Sequence, residues 1–528
     1  MKLASFHRLL SLLLLVGFAM PGFAQDAAED GFTPLFNGEN LDGWAGDPAI
    51  WSVRDGAVTG TTTEENPLKY NTFLIWQEGE VDDFILRFEY KITDPGNSGV
   101  QYRSWEGPEN QKWRVGGYQA DFDGNNRFAG ILYGEQFRGI LANRGQKTVI
   151  GENGKPTVEE QFATSEELQK HIKPAGEWNA YEVTARGFEF THKINGQVMS
   201  QCRDEDASDR RRSGILAVQC HVGPPMQVQV RNLRLKRLPL EDAEKIVFLA
   251  GNKSHGYAGH EHNAGCRLLA EYMNQHVPGT VSTVYLNGWP DDPTALDNAD
   301  VVVVFCDGGG RHMFMNHLDE LNALKEKGVG FVALHYGVEM PPGPGGDFLK
   351  EATGGYFEVN WSVNPHFKAE FTEFVDHPVT RGLKPFEIDD EWYYHMRFKE
   401  NMEGVTPVLT CVPPDATRER RMGAHSNNPT VKARKGEPEH VGWVVEREDG
   451  GRGFGFTGGH WHWNWAEPNF RKIVINGIAW TAGIDIPEGG IETPTPSFEK
   501  LLENQDFPSN LSPEKEKRIR EMIEDWNK

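Results

Sequence analysis

Up to about Leu238 the apolar residues alternate with polar ones in short runs: FILRFEYKI, SGVQYRS, AYEVTARG, FEFTHKING, GILAVQC and MQVQVRNLRLKRL. Turn signals separate these runs, and helical periodicity is almost absent. A period of two marks half-buried strands, so this stretch predicts an all-β sandwich. Asn195-Gly196 supplies a hairpin turn, since both residues accept the positive φ it requires. At Leu238-Pro239-Leu240-Glu241 the pattern changes. KIVFLAG, VSTVYLNG, ADVVVVFCDG and GVGFVALHYG are continuous apolar runs that alternate with helical stretches around Cys266 to Gln275 and Leu318 to Glu326. That order predicts a parallel sheet covered on both faces. From Pro487 a Pro/Gly/Thr-rich linker leads to Ser512-Pro513-Glu514, an N-cap with proline at the first helical position. The expected division is therefore 31–238, 245–484 and a tail of 487–528 that packs on the body or on a partner.

The first 24 residues read as a secretory signal: Lys2 and Arg8, an apolar stretch from Leu9 to Ala19 too short to span a bilayer, and small residues around Gly22-Phe23-Ala24. The expectation is an exported protein, periplasmic or extracellular, without a membrane anchor. The formal charge of -23 becomes -25 once Lys2 and Arg8 are removed, which opposes nucleic acid or anionic lipid as a partner. Five cysteines are too few for a disulfide scaffold. Cys202 and Cys220 close neighbouring strands and could pair, while Cys266, Cys306 and Cys411 read as buried thiols.

Candidate chemistry falls into two groups. In the β region, Gln119 and Asp121 are two apart on one strand and face one side; Gln219 and His221 repeat the device. With Tyr102 and Arg103 they compose a plausible sugar-binding surface, to which Trp105, Trp113 and Trp178 could add stacking platforms, although core packing is the default for each. In the α/β region stand fourteen of the eighteen histidines. His255, His260, His262, His312, His335, His460 and His462 follow apolar runs, and the carboxyl ends of parallel strands share one rim. Taken singly each is more often structural. Together, His255, His260, His262, His335 and His460 with Glu391 could supply ligands to a divalent metal from different loops. Trp461, Trp463 and Trp465 form an aromatic wall or a stacking surface. No nicotinamide site is expected: the turn after the first strand reads Gly251-Asn252-Lys253-Ser254-His255-Gly256, without the dinucleotide fingerprint.

Two resemblances extend this reading. FTPLFNGENLDGW, the strands carrying Gln119, Asp121, Gln219 and His221, the Glu177-Trp178-Asn179 motif and the closing Val230-Arg231-Asn232 together resemble the 3-keto-disaccharide hydrolase domain family. That resemblance implies a jelly roll like those of concanavalin-type lectins. Where the family shows a glutamate before the Gln-x-x-Asp-like strand, this chain has Gly117-Tyr118. SHGYAGHEHNAG, FCDGGGRH, FVALHYG, DDEWYYHMRF and GGHWHWNW resemble the trehalose-utilisation (ThuA-like) family, implying a class I glutamine amidotransferase-like, flavodoxin-like fold. In amidotransferases a cysteine follows the strand corresponding to FVAL. Here His335 stands there, so release of ammonia from glutamine is not expected.

The resemblance implies cleavage of a glycoside or oligosaccharide oxidised at carbon 3, by hydrolysis or by elimination and hydration, after a separate sugar 3-oxidoreductase has made the ketone. The residues to test are Asp121 or His221 as base with Arg103, Gln119, Gln219 and Tyr102 as binders, and His335 with His460 as acid and base, Glu391 orienting one of them and Trp461 stacking on sugar. The alternative is a carbohydrate-binding protein, a lectin-like sandwich joined to an inactive amidotransferase-like domain. A glucanase-type glycosidase ranks behind, because no strand carries the paired carboxylates at the required gap; a metal hydrolase centred on the histidines is a third possibility.

Overall fold

The computed structural model describes residues 31–421, 423–426 and 428–527; the expected signal segment, 1–24, lies outside them. Residues 31 to 238 form two packed sheets. In one, of ten strands, Phe84–Ile92 lies between Asn179–Arg186 and Gln227–Arg237. The other has seven strands in the order Gly139–Ala142, Leu132–Glu135, Val115–Asp123, Asn97–Glu106, Ile215–Cys220, Thr72–Trp76 and Trp44–Ala45. The alternation visible in FILRFEYKI sends Phe84, Leu86, Phe88, Tyr90 and Ile92 into the shared core, where Tyr90 stacks on Phe122 of the facing sheet at 4.1 Å. Cys202 and Cys220 do not pair. They sit in opposite sheets, each buried in this core as a free thiol; the remaining three cysteines are free thiols buried in the second domain.

In the second domain the strands Thr280–Tyr285, Glu244–Ala250, Val301–Phe305, Gly330–Leu334 and Arg452–Phe456 run parallel in that spatial order. Two antiparallel strands, Glu439–Glu446 and Val405–Cys411, complete the sheet. Both faces are covered. Ile246, Phe248, Val301 and Val303 pack with helices His262–His276 and Pro468–Thr481. Val247, Leu249, Val302 and Val304 meet Leu318–Glu326 and Pro344–Thr353 on the other side. Strands buried on both faces explain why their sequences read as unbroken apolar runs. Between Pro344–Thr353 and Val405–Cys411 the chain inserts a hairpin, His366–Phe371 with Phe386–Glu391, whose register sets His366 opposite Glu391. The final helix, Pro513–Trp526, is capped by Ser512 and buries Ile523 against the body.

Two adjacent carboxylates organise the junction of the domains. Asp82 is buried and receives Lys245 Nζ, with Asn298 Nδ2 at 3.0 Å and Arg237 3.7 Å away, so β-domain and α/β-domain residues share one ionic network. Burial opposes its ionisation, but Lys245 and Arg237 outweigh that and hold the carboxyl well below the usual range. Asp83 faces the other way, to Arg103. Removing one member of such a network strands buried charge. Asp82→Ala is therefore expected to cost about 3–5 kcal/mol in denaturant unfolding and to open the 238–245 connection to proteolysis; loss of less than about 1 kcal/mol would contradict this account.

Candidate functional site

On the face of the seven-stranded sheet turned away from the sandwich core, Gln101, Gln119, Asp121, Glu135 and Gln219 form one hydrogen-bonded group. Gln101 Nε2 donates to Gln119 Oε1 at 2.6 Å, and Gln119 Nε2 donates to Asp121 Oδ2 at 2.8 Å. The same amide lies 3.4 Å from Gln219 Oε1, and Gln219 Nε2 reaches Glu135 Oε2 at 3.4 Å. Asn97 Nδ2 donates to Asp121, and Asn71 Nδ2 donates to Glu135. The group is a floor: Asp121 is 5% and Glu135 4% exposed, while Asn71, Asn97 and Tyr133 at its margin are half-buried. Trp113 packs on the same face against Phe73, Ile75 and Ala217. Burial pushes the Asp121 carboxyl well above the usual range, against the amides of Gln119 and Asn97.

Asp121, Gln119 and Gln219 are thus together as expected. His221 is not on the strand but one residue beyond it, with Nδ1 donating to the carbonyl of Val222 at 2.5 Å. Arg103 and Tyr102 require correction. A register irregularity between Tyr102 and Trp105 and a φ of 46° at Arg103 turn that side chain off the face. It is sealed, donating to Asp83 Oδ1 at 2.7 Å and to the carbonyls of Asp82 and Gly187. Tyr102 points into the core, its hydroxyl 3.0 Å from His192 Nε2. Trp178 lies on the ten-stranded sheet beneath Arg231 and Lys91, and Trp105 packs on Phe137. Gln101 and Glu135 went unnoticed in the sequence, although Gln101 pairs with Gln119 across the ladder and Glu135 pairs with Gly117. Glu135 therefore stands beside the position where the expected glutamate is missing.

The second group sits at the carboxyl ends of the parallel strands. His335 follows Gly330–Leu334 directly with φ of 48°, His260 comes from the loop after Glu244–Ala250, His460 from the loop after Arg452–Phe456, and Glu391 ends the inserted hairpin. His260 Nε2 lies 3.0 Å from both His335 Nε2 and His460 Nδ1. Glu391 Oε2 is 3.1 Å from His460 Nδ1, 3.6 Å from His335 Nε2 and 3.8 Å from His260 Nε2. These four side chains form a set that could hold a metal ion, and a second, overlapping set is His255, His260 and Asp307. Tyr393 donates its hydroxyl to Glu391 at 3.3 Å. Burial works to raise the Glu391 carboxyl, but contacts with three imidazoles hold it far below the carboxylate range; burial, then the neighbouring His260, lowers His335.

Of the seven histidines expected on one rim, His255, His260, His335 and His460 meet, His255 stacking on His260 at 3.6 Å. His262, His312 and His462 do not take part in the four-residue set: each is buried, and burial lowers them to about 3, 4 and 3. His312 bridges the Gly337 carbonyl and the Phe314 amide. His366, overlooked in the sequence, stands over His460 at 4.8 Å, and Trp461, 37% exposed, lies next to both. Trp463 and Trp465 are core residues.

A jelly-roll sandwich bearing an amide and carboxyl floor, followed by an amidotransferase-like α/β domain with histidine at the nucleophile turn, defines the class of molecule. Two family models match the chain in tandem: residues 31–236 match the 3-keto-alpha-glucoside-1,2-lyase-like domain, and residues 247–481 match trehalose utilisation (ThuA). A 3-keto-disaccharide hydrolase of Bacteroides thetaiotaomicron is 24% identical over 176 residues, which are 32% of this chain and 57% of that protein; the chain thus spans little more than half of that relative. Among solved structures, a glycosyl-hydrolase candidate from Parabacteroides distasonis is 23% identical, covering 39% of this chain and 94% of its own, at a TM-score of 0.27. A ThuA-like protein from Bacteroides uniformis is 14% identical, covering 47% and 94%, at a TM-score of 0.33.

Asp121 offers a direct check on the floor. Its folded-state pKa lies above that of the unfolded chain, so its contribution to stability is complete in acid and is lost as pH rises from about 3.9 toward the folded value. Asp121→Asn carries no such charge. The variant is expected to be about 1 kcal/mol less stable than the parent at pH 5, with the gap closing or reversing by pH 8 in urea unfolding; a gap independent of pH would refute the protonated Asp121.

Proposed function

We propose that this chain is an exported carbohydrate-active enzyme that cleaves glycosides already oxidised at carbon 3. Both the family match of the β sandwich and the hydrolase relative favour such a substrate. The observation that carries the reading is the pairing of Asp121 and Glu135 on one sheet face through Gln119 and Gln219. A ketone at carbon 3 acidifies the proton on carbon 2. Glu135, an acceptor of three amide donors from Asn71, Gln136 and Gln219, takes that proton; the electrons move to the ketone oxygen as an enolate, and Asp121, protonated by its burial, donates to it. Collapse of the enolate expels the glycosidic oxygen from carbon 1, which leaves as the alcohol with the proton that Glu135 removed, and water then adds across the new double bond between carbons 1 and 2. Burial that favours the protonated Asp121 suits it to the acid's role. A positioned base supplies roughly 10²–10⁴-fold and an oxyanion donor roughly 10²–10³-fold, so both are needed. The ketone itself comes from a separate sugar 3-oxidoreductase.

Incubation with matched normal and 3-keto disaccharides in deuterium oxide tests this. Only the keto substrate is expected to be cleaved, with deuterium entering at carbon 2; cleavage of the normal sugar alone would end the proposal, and cleavage without deuterium would replace elimination by direct hydrolysis. Glu135→Gln is expected to lower kcat by about 10²–10⁴, while His335→Ala retains this step. One observation favours a second reading, sugar binding without turnover: Gln101, Gln119 and Gln219 are no more than 1% exposed, which suits a rigid recognition floor. On that reading neither sugar is cleaved, and Glu135→Gln weakens affinity alone.

A further inference from the structure

We infer that the α/β domain binds one first-row divalent cation of the zinc type through His260 Nε2, His335 Nε2, His460 Nδ1 and Glu391 Oε2. The inference is independent of the substrate proposed above, since it rests on a different domain and on geometry alone. A cation held by imidazole nitrogen and carboxylate oxygen at about 2.0–2.1 Å in a tetrahedron has donor atoms about 3.3 Å apart. Five of the six edges of this set measure 3.0, 3.0, 3.1, 3.6 and 3.8 Å. They scatter about that edge length.

The outer atoms of the same side chains fix which inner atoms carry lone pairs. His335 Nδ1 lies 2.8 Å from the Thr457 carbonyl, which only accepts, so Nδ1 bears the proton and Nε2 the lone pair. His260 Nδ1 faces Asp307 Oδ1 at 3.4 Å, again an acceptor, so its Nε2 is likewise a lone pair. Those two lone pairs meet at 3.0 Å, and two neutral imidazoles so oriented cannot hydrogen-bond to each other. A cation between them turns the repulsive contact into two bonds. Glu391 is arranged to the same end: Asn364 Nδ2 holds Oε1 at 3.1 Å, which leaves Oε2 toward the imidazoles. Imidazoles anchored through their far nitrogens to a carbonyl and a carboxylate, and a carboxylate anchored by an amide, are the outer partners that metal ligands require.

Three nitrogens and one oxygen suit zinc and its neighbours; magnesium and calcium prefer six or more oxygens. The site opens on one side, since Glu391 and His460 keep 13% and 12% side-chain exposure while His255, His366 and Trp461 stand at the mouth. A ligand of the chemical class of a carbonyl or hydroxyl oxygen can therefore reach a cation there, which would polarise it as a Lewis acid.

Elemental analysis of the purified full chain should find about one zinc-type ion per chain, removable by chelation. After removal, calorimetric titration with zinc should restore one site, and cobalt(II) should give the intense visible absorption of a four-coordinate nitrogen and oxygen environment. His335→Ala and His260→Ala should each weaken zinc binding at least 100-fold. Asp307→Asn, which keeps every proposed ligand, should weaken it about 10–100-fold and so serves should the histidine variants fail to fold. The proposal is overturned by an absence of zinc binding and of any thermal shift with zinc in the unaltered chain, by unchanged affinity in Asp307→Asn together with the foldable histidine variants, or by the weak cobalt spectrum of six-coordinate oxygen ligation. A stable chain without metal whose histidine nitrogens carry a shared proton by NMR would also overturn it.

Discussion

The constraint on which the second domain depends is the parallel register of four neighbouring strands. Ala250, Phe305, Leu334 and Phe456 stand side by side as the last paired residues across the sheet. Whatever follows each of them in the chain must emerge along one edge. That is why His260, Asp307, His335 and His460, separated by as much as 200 residues, meet within hydrogen-bonding reach. Sheet and helices supply the burial energy; the edge supplies position. Glu391 belongs to no strand of that sheet and reaches the edge by an inserted hairpin, so the site joins a general feature of the fold to a particular insertion.

Much of this edge was legible in the sequence because the side chains lie next to long apolar runs. His335 directly follows FVAL, and GGHWHWNW follows the strand ending at Phe456. The histidines that misled, His262, His312 and His462, are equally close to strands, but helix and 3-10 turns beginning at or beside them rotate them inward. His366 was illegible because its place is set by the hairpin register opposite Glu391 rather than by a neighbouring strand. In the sandwich, alternation correctly set Gln119 and Asp121 on one face and, followed strictly, sends Tyr102 to the core. Arg103 broke the rule because the strand is irregular where it stands, and no local feature of NSGVQYRSWE announces a positive φ at an arginine. Glu135 needed the partner strand: only the pairing with Gly117 reveals that it faces the floor.

Arg103 is informative in its actual role. Asp82 and Asp83 are adjacent in sequence and both buried, yet they serve different partners. Asp83 binds Arg103 and the Gly187 amide inside the sandwich, and Asp82 binds Lys245, Arg237 and Asn298 at the junction with the second domain. Adjacent buried carboxylates repel unless each is separately neutralised. The arrangement therefore couples order within the first domain to contact with the second, because Asp82 draws its partners from both domains while the adjacent Asp83 is satisfied inside the sandwich. What resembled a binding arginine is a structural one, and the polar floor is left composed of amides and carboxyls, groups suited to neutral hydroxyl and carbonyl recognition.

Backbone strain separates the two candidate centres. In the histidine edge, His255, Ala258, His260 and His335 all hold positive φ, between 48° and 65°, although none is glycine. Each such residue costs on the order of 1 kcal/mol or more and persists only where its surroundings enforce it. The floor residues Gln101, Gln119, Asp121, Glu135 and Gln219 show no positive φ and lie in regular ladders. A sheet face preorganises its side chains by pleat alone, so it needs no such outlay. Convergent loops must be bent to aim imidazoles at one point, and the bending is a persistent cost unless something at that point binds to them. The strained turn after Gly330–Leu334 presents an imidazole rather than a thiol, which suits the edge to the proposed cation rather than to covalent attack.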